Sequence, residues 1–104
     1  MYVQVVTFRL GGIDETQYHE ACKAETEPFA TLPGLLAKIW LRDPAGGIYG
    51  GLYLWRDREA HDAYVAGPIF DSIVKAPAFA DVASKGFDVF DDLTKATQPG
   101  LSLV

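Results

Sequence analysis

Hydrophobic positions alternate along the first ten residues. Val3, Val5 and Thr7 fall on one side of an extended chain, and Tyr2, Gln4, Val6 and Phe8 on the other. A period of two among β-branched and aromatic residues predicts a strand over residues 2–9. Gly11-Gly12 is the turn out of it. The spacing then lengthens to three and four. Tyr18, Ala21 or Cys22, Glu25, Phe29 and Leu32 share one side of a helix that opens at Asp14, with Gln17 placed as its capping partner. His19, Glu20, Lys23 and Glu27 form its wet side. Pro28 predicts a kink or a stop, because its ring clashes one turn back.

Pro33-Gly34 punctuates the chain, and two apolar runs follow over residues 35–42 and 48–55. The turn-rich stretch Asp43-Pro44-Ala45-Gly46-Gly47 joins them as an antiparallel hairpin. Asp57 caps a second helix with Ala60, Ala63 and Tyr64 inward, and Gly67-Pro68 breaks it. A short helical piece over residues 69–75 offers Ile69, Phe70, Ile73 and Val74, and Pro77 ends it. A last strand is expected over residues 82–90. The order is β-α-β-β-α-β, an α+β, ferredoxin-like arrangement with an antiparallel sheet. Residues 1–92 are read as one domain. Residues 93–104 are read as a tail whose Leu101 and Leu103 extend a contact with a partner subunit.

Both faces of the hairpin are apolar. One carries Leu35, Ala37, Ile39, Leu41, Ile48, Leu52 and Leu54. The other carries Leu36, Lys38, Trp40, Arg42, Tyr49, Tyr53 and Trp55. Neither is the polar face of a sheet wetted on one side. Two helices cover one face. The other, read as the aromatic one, leaves more apolar surface than a monomer exposes. A symmetric homodimer, packed face to face, is the expected solution, with a monomer whose loop folds over the sheet as the alternative.

Composition narrows the partners. With 104 residues, 49% of them hydrophobic, the chain has the size and content of a single folded domain. The nine basic residues are scattered and the net charge is −5, so neither nucleic acid nor an anionic membrane surface is an expected partner. No apolar run is long enough to span a bilayer, and the start of the chain reads as a strand, not a signal peptide. One cysteine, Cys22, forms no internal disulfide, and a reducing cytoplasm is the simplest location.

Pro33-Gly34-Leu35-Leu36-Ala37-Lys38-Ile39-Trp40, Gly50-Gly51-Leu52-Tyr53-Leu54-Trp55, Ala63-Tyr64 and Phe87-Asp88-Val89 together resemble the YdhR-like monooxygenases, most specifically in the hairpin. These belong with the dimeric α+β barrel proteins, near the antibiotic-biosynthesis monooxygenases. The resemblance implies a dimeric barrel with a pocket between sheet and helices. It also implies oxygenase activity on a small phenolic or quinol-like ligand without metal, flavin or haem.

Trp40, Tyr53, Trp55 and Tyr64 suit the walls of a site for a flat ring, with core packing as the alternative. Phe70 joins them as a candidate substrate contact. Gly50-Gly51 inside a strand marks a bulge or a close approach, and Gly51 is read as an opening for substrate. Lys38 is a candidate to steady a phenolate or superoxide, and Arg42 points the same way; each could instead reach the rim. His61 is the candidate acid or base, with a solvated histidine as the alternative. His19, Cys22 and Glu25 step by three but match no usual metal spacing. Three activities are carried forward: a cofactor-independent monooxygenase, a non-catalytic binder of small aromatic molecules, and an isomerase or cyclase on the same scaffold.

Overall fold

The chain runs β1 (Tyr2–Leu10), α1 (Glu15–Ala30), β2 (Leu35–Asp43), β3 (Ile48–Trp55), α2 (Arg58–Val65), α3 (Pro68–Lys75), β4 (Phe79–Asp88) and α4 (Asp91–Ala96). This computed structural model describes residues 1–98. The strands form one antiparallel sheet in the order β2-β3-β1-β4. That is the ferredoxin-like order expected from the sequence. None of the helices described is long and apolar enough to cross a membrane.

Local chemistry fixes the helix ends. Asp14 accepts from the Gln17 backbone N–H at 2.8 Å, and Gln17 Oε1 accepts from the Asp14 N–H at 2.9 Å, a reciprocal capping box. Asp57 caps α2 by accepting from the Ala60 N–H at 2.9 Å. Pro68 opens α3 at its first turn, where its missing N–H costs nothing. Pro28 lies within α1 and does not stop it at once. The helix continues to Ala30, and Thr31 closes it through its N–H to the Glu27 carbonyl at 3.2 Å.

β4 starts three residues earlier than its hydrophobic run predicts. A register shift between Thr7 and Arg9 lets Arg9 and Leu10 pair with Ala80 and Phe79. Phe79 then stacks on Phe8 with ring centroids 4.4 Å apart. α4 runs across position 92, where the tail was expected to begin. Leu101 and Leu103, expected to extend a partner contact, lie outside the described residues.

The assignment of the two sheet faces needs correction. The aromatic face is the covered one. Tyr2, Val6, Phe8, Tyr49, Tyr53 and Trp55 are all buried under the helices, joined by Phe29 from α1 and Tyr64 from α2. Gln4 sits fully buried among them, accepting from Trp55 Nε1 at 3.0 Å and donating to Ser84 Oγ at 2.8 Å. It thereby ties β3, β1 and β4 together with no orphaned polar group. The aliphatic face is the uncovered one. Ile39 is 53% exposed, Phe87 45%, and Leu93 of α4 61%. The two faces differ in texture. Helices leave uneven grooves that large rings fill, whereas short aliphatic side chains make the flat surface another sheet packs against.

Candidate functional site

The hairpin brings Lys38 and Trp40 beneath α1. The pairs Lys38↔Tyr53, Trp40↔Gly51 and Arg42↔Tyr49 place all six residues on the helix-covered side. The Lys38 ammonium lies 3.4 Å from the ring centroids of both Phe29 and Trp40, and 4.8 Å from that of Tyr53. Among the described residues it has no hydrogen-bond acceptor and no ion-pair partner. Gly51 makes the room. A Cβ there would meet Lys38 Cε and a Tyr53 ring carbon. Gly50 answers a different need, because its φ of +149° and the Val6 carbonyl beside it exclude a side chain. Neither glycine marks a bulge, since β1 and β3 pair without interruption through both.

A cavity of about 290 Å³ opens between α1, α3 and the sheet. Phe8, Phe29, Trp40, Ile69, Ile73 and Phe79 give it apolar walls, and Lys38, Tyr18, Cys22, Glu25 and Ser72 supply its polar atoms. A second cleft of about 370 Å³ lies along the outer side of α1 and shares Tyr18, Cys22 and Trp40 with the first. At its rim Arg42 grips Glu15 through both forks, at 3.2 and 2.7 Å, and Tyr49 donates to Glu15 at 3.1 Å. That pair holds the Glu15 carboxyl below its ordinary range and fixes the start of α1 to the edge of the sheet. A third concavity, about 560 Å³, is on the opposite, uncovered face and is lined by aliphatic residues, Phe87, Asp88, Phe90 and α4.

Burial sets the acid–base behaviour. It pushes the Lys38 ammonium down to about 7, while Cys22 and Glu25 on α1 pull the other way. The three ring faces also favour the cation. Burial raises Tyr18, Tyr53 and Tyr64, and it raises Cys22. At neutral pH these hydroxyls and the thiol are therefore proton-bearing hydrogen-bond partners, and Lys38 is the group moved to the point where it exchanges a proton.

Several expected site residues meet here and several do not. Lys38, Trp40, Tyr53 and Gly51 form one cluster. Tyr64 joins it from behind, its hydroxyl 3.3 Å from that of Tyr53. Phe70 packs edge-on against Tyr64 at 5.6 Å, one layer further out. Trp55 is fully buried and bonded to Gln4, a core position. His61 is not brought to the cavity. Its ring packs on Tyr2 at 4.7 Å and its Nδ1 is 2.8 Å from Asp62 Oδ1. His19, Cys22 and Glu25 form no metal-binding cluster, and no other appears among the described residues. The walls contributed by α1 were not expected as site residues. The inward stripe of Tyr18, Cys22, Glu25 and Phe29 was the available signal.

The family model of the Putative mono-oxygenase ydhR matches residues 3–99. No curated protein matches the sequence. Among solved structures, the heme-degrader MhuD from Mycobacterium tuberculosis, with two hemes bound in its active site, aligns with a TM-score of 0.70 at 18% identity over 86% of this chain and 96% of that one. SnoaB, a cofactor-independent oxygenase from Streptomyces nogalater, aligns with a TM-score of 0.67 at 21% identity over 86% and 92%. An antibiotic biosynthesis monooxygenase from Deinococcus radiodurans, itself described as putative, aligns with a TM-score of 0.69 at 14% identity over the same shares. At these identities the structures establish a common fold and no more. The family model, spanning nearly the whole chain, establishes kinship: this chain belongs to the Putative mono-oxygenase ydhR family.

Proposed function

We propose that this chain is a cofactor-independent monooxygenase acting on a small phenolic, quinol or anthrone-type ring held between α1, α3 and the sheet. The observation that carries the reading is Lys38. Its amine has no hydrogen-bond or ion-pair partner among the described residues, is framed by Phe29, Trp40 and Tyr53, and borders an apolar cavity. A volume of about 290 Å³ suits a compact ring system.

The chemistry follows from these groups. Neutral Lys38 takes the hydroxyl proton of the bound ring. The lysinium then lies beside the phenolate, and the apolar walls keep water from screening the pair. Charge spreads to the ring carbon, which passes one electron to O₂. The resulting superoxide and carbon radical join as a peroxide. Loss of water leaves a carbonyl. One oxygen atom enters the product and the other leaves as water, whose two hydrogens come from the substrate, one from its hydroxyl by way of Lys38 and one from the ring carbon. Trp40 and Phe29 hold the ring, Tyr53 backs the Lys38 amine, Tyr64 braces Tyr53 with Phe70 packed behind it, and Gly51 keeps space for Lys38. Tyr18 takes the proton-carrying position the sequence suggested for His61.

The uncovered aliphatic face supports a homodimer packed sheet to sheet, with α4 at its margin. A cytoplasmic location fits the unpaired Cys22.

Oxygen uptake with a panel of quinols and anthrones tests the reading. Uptake above the spontaneous rate, falling about 10²-fold in Lys38→Met, is expected for loss of a general base. Uptake no faster than the spontaneous rate, or unchanged in the variant, rejects it. Product formed without O₂ assigns an isomerase or cyclase instead, and saturable binding without turnover assigns a binder.

A further inference from the structure

An amine at the border of a cavity, without a hydrogen bond, is a nucleophile as well as a base. Lys38 projects from the middle of β2, and Trp40 and Phe29 flank its nitrogen at 3.4 Å. Among the described residues no carboxylate pairs with it, unlike Lys23, bound to Glu20 at 2.9 Å, or Lys75, bound to Asp71 at 3.0 Å. Across the cavity α1 presents the Tyr18 hydroxyl and the Cys22 thiol, both kept protonated by burial, and the Glu25 carboxyl group. An amine without a polar partner, an apolar chamber and nearby proton carriers together make a site for reversible amine–carbonyl chemistry.

We propose that Lys38 forms an imine with aromatic aldehydes or ketones that enter the cavity between α1 and α3. The lysine nitrogen adds to the carbonyl carbon, and the oxygen takes a proton to give a carbinolamine. That hydroxyl then leaves as water, the nitrogen having lost both its protons, and the C=N bond remains. Tyr18 and Glu25 line the same chamber and relay the protons between nitrogen and oxygen. The step needs no oxidant, so it stands apart from the oxygenase reading and holds or fails without it.

The test is reductive trapping of the whole protein under anaerobic conditions. The protein is incubated with 4-hydroxybenzaldehyde at pH 7, reduced with borohydride, and mapped by peptide mass. The secondary amine is expected on Lys38 at no less than about tenfold its occupancy on any other lysine, because a neutral amine is far more abundant there than on a lysine of ordinary pKa. An excess of 4-methylphenol, which fits the cavity but has no carbonyl, is expected to suppress the Lys38 adduct and leave the others. Labelling of Lys38 no greater than that of Lys23 or Lys75 overturns the proposal. So does a Lys38 adduct that 4-methylphenol leaves unchanged. Trapping with no oxygen uptake leaves the imine standing and removes the oxygenase; uptake with no trapping does the reverse.

Discussion

Gly51 faces the stem of Lys38: a Cβ at Gly51 would stand 2.9 Å from Lys38 Cε and 3.1 Å from Tyr53 Cε1. The first separation is shorter than real side-chain contacts and the second is tighter than most, so a side chain at position 51 would push the end of Lys38 aside and crowd the Tyr53 ring. Gly51→Ala is therefore expected to displace Lys38 and cost about 1–3 kcal/mol, as overpacking does. Denaturant unfolding checks the stability, with a lower midpoint and an unchanged slope. The same variant is expected to lose turnover along with Lys38→Met. A variant with full activity and wild-type stability would show that the lysine position is not fixed by this contact.

Lys38 also predicts a pH dependence of stability. Its pKa is about 7 in the folded chain and about 10.4 for an ordinary lysine. Between those values the unfolded chain holds more protons, so this group makes stability rise with pH. Below about 7 both states are protonated and the full burial cost is present; above about 10.4 both are neutral and it is gone. Lys38→Met lacks the titration. The stability of wild type minus that of Lys38→Met is expected to climb from neutral to alkaline pH. Parallel profiles for the two proteins would refute a buried amine.

The Tyr53 and Tyr64 hydroxyls are mutual partners 3.3 Å apart in a buried setting. Either Tyr→Phe change alone strands the other hydroxyl and is expected to cost about 1–3 kcal/mol. The double variant, with no polar atom left to satisfy, is expected to cost less than the two single changes added together. A double-mutant cycle measures the coupling, and additive values would mean the hydroxyls do not depend on one another.

His61 packs on Tyr2 and bonds to Asp62, away from the cavity lining. His61→Gln is expected to leave oxygen uptake and Lys38 trapping unchanged. A tenfold fall in either, with stability retained, would return the histidine to the site.

The uncovered face supplies the test of assembly. Ile39 and Leu52 pair across β2 and β3 on that side, and Phe87 lies with them around the same concavity. Ile39→Glu with Phe87→Glu places two carboxylates in the proposed contact and is expected to give single chains in sedimentation at micromolar concentration. Trp55 does not report on this contact, because it is fully buried within one chain.

Much of the fold was legible in order and little of it in orientation. The alternation of Tyr2, Gln4, Val6 and Phe8 against Val3, Val5 and Thr7 defines β1, and the steps from Tyr18 to Phe29 define α1, because each period follows from local backbone geometry. Residues 38, 40, 53 and 55 share a face by strand parity alone. Which face the helices cover was not legible, because both are apolar and no local interaction distinguishes them. The start of β4 at Phe79 depended on a register shift against β1 that no pattern within β4 announces.

The sequence by itself determined the periods, the caps, the β-α-β-β-α-β order and the family motifs, all properties of neighbouring residues. Only the tertiary structure decided that the aromatic face lies under α1, α2 and α3. It alone set Lys38 among Phe29, Trp40 and Tyr53 and left His61 outside. Proximity between residues far apart in the chain, and the loss of water that moves an amine's pKa, arise when the layers pack.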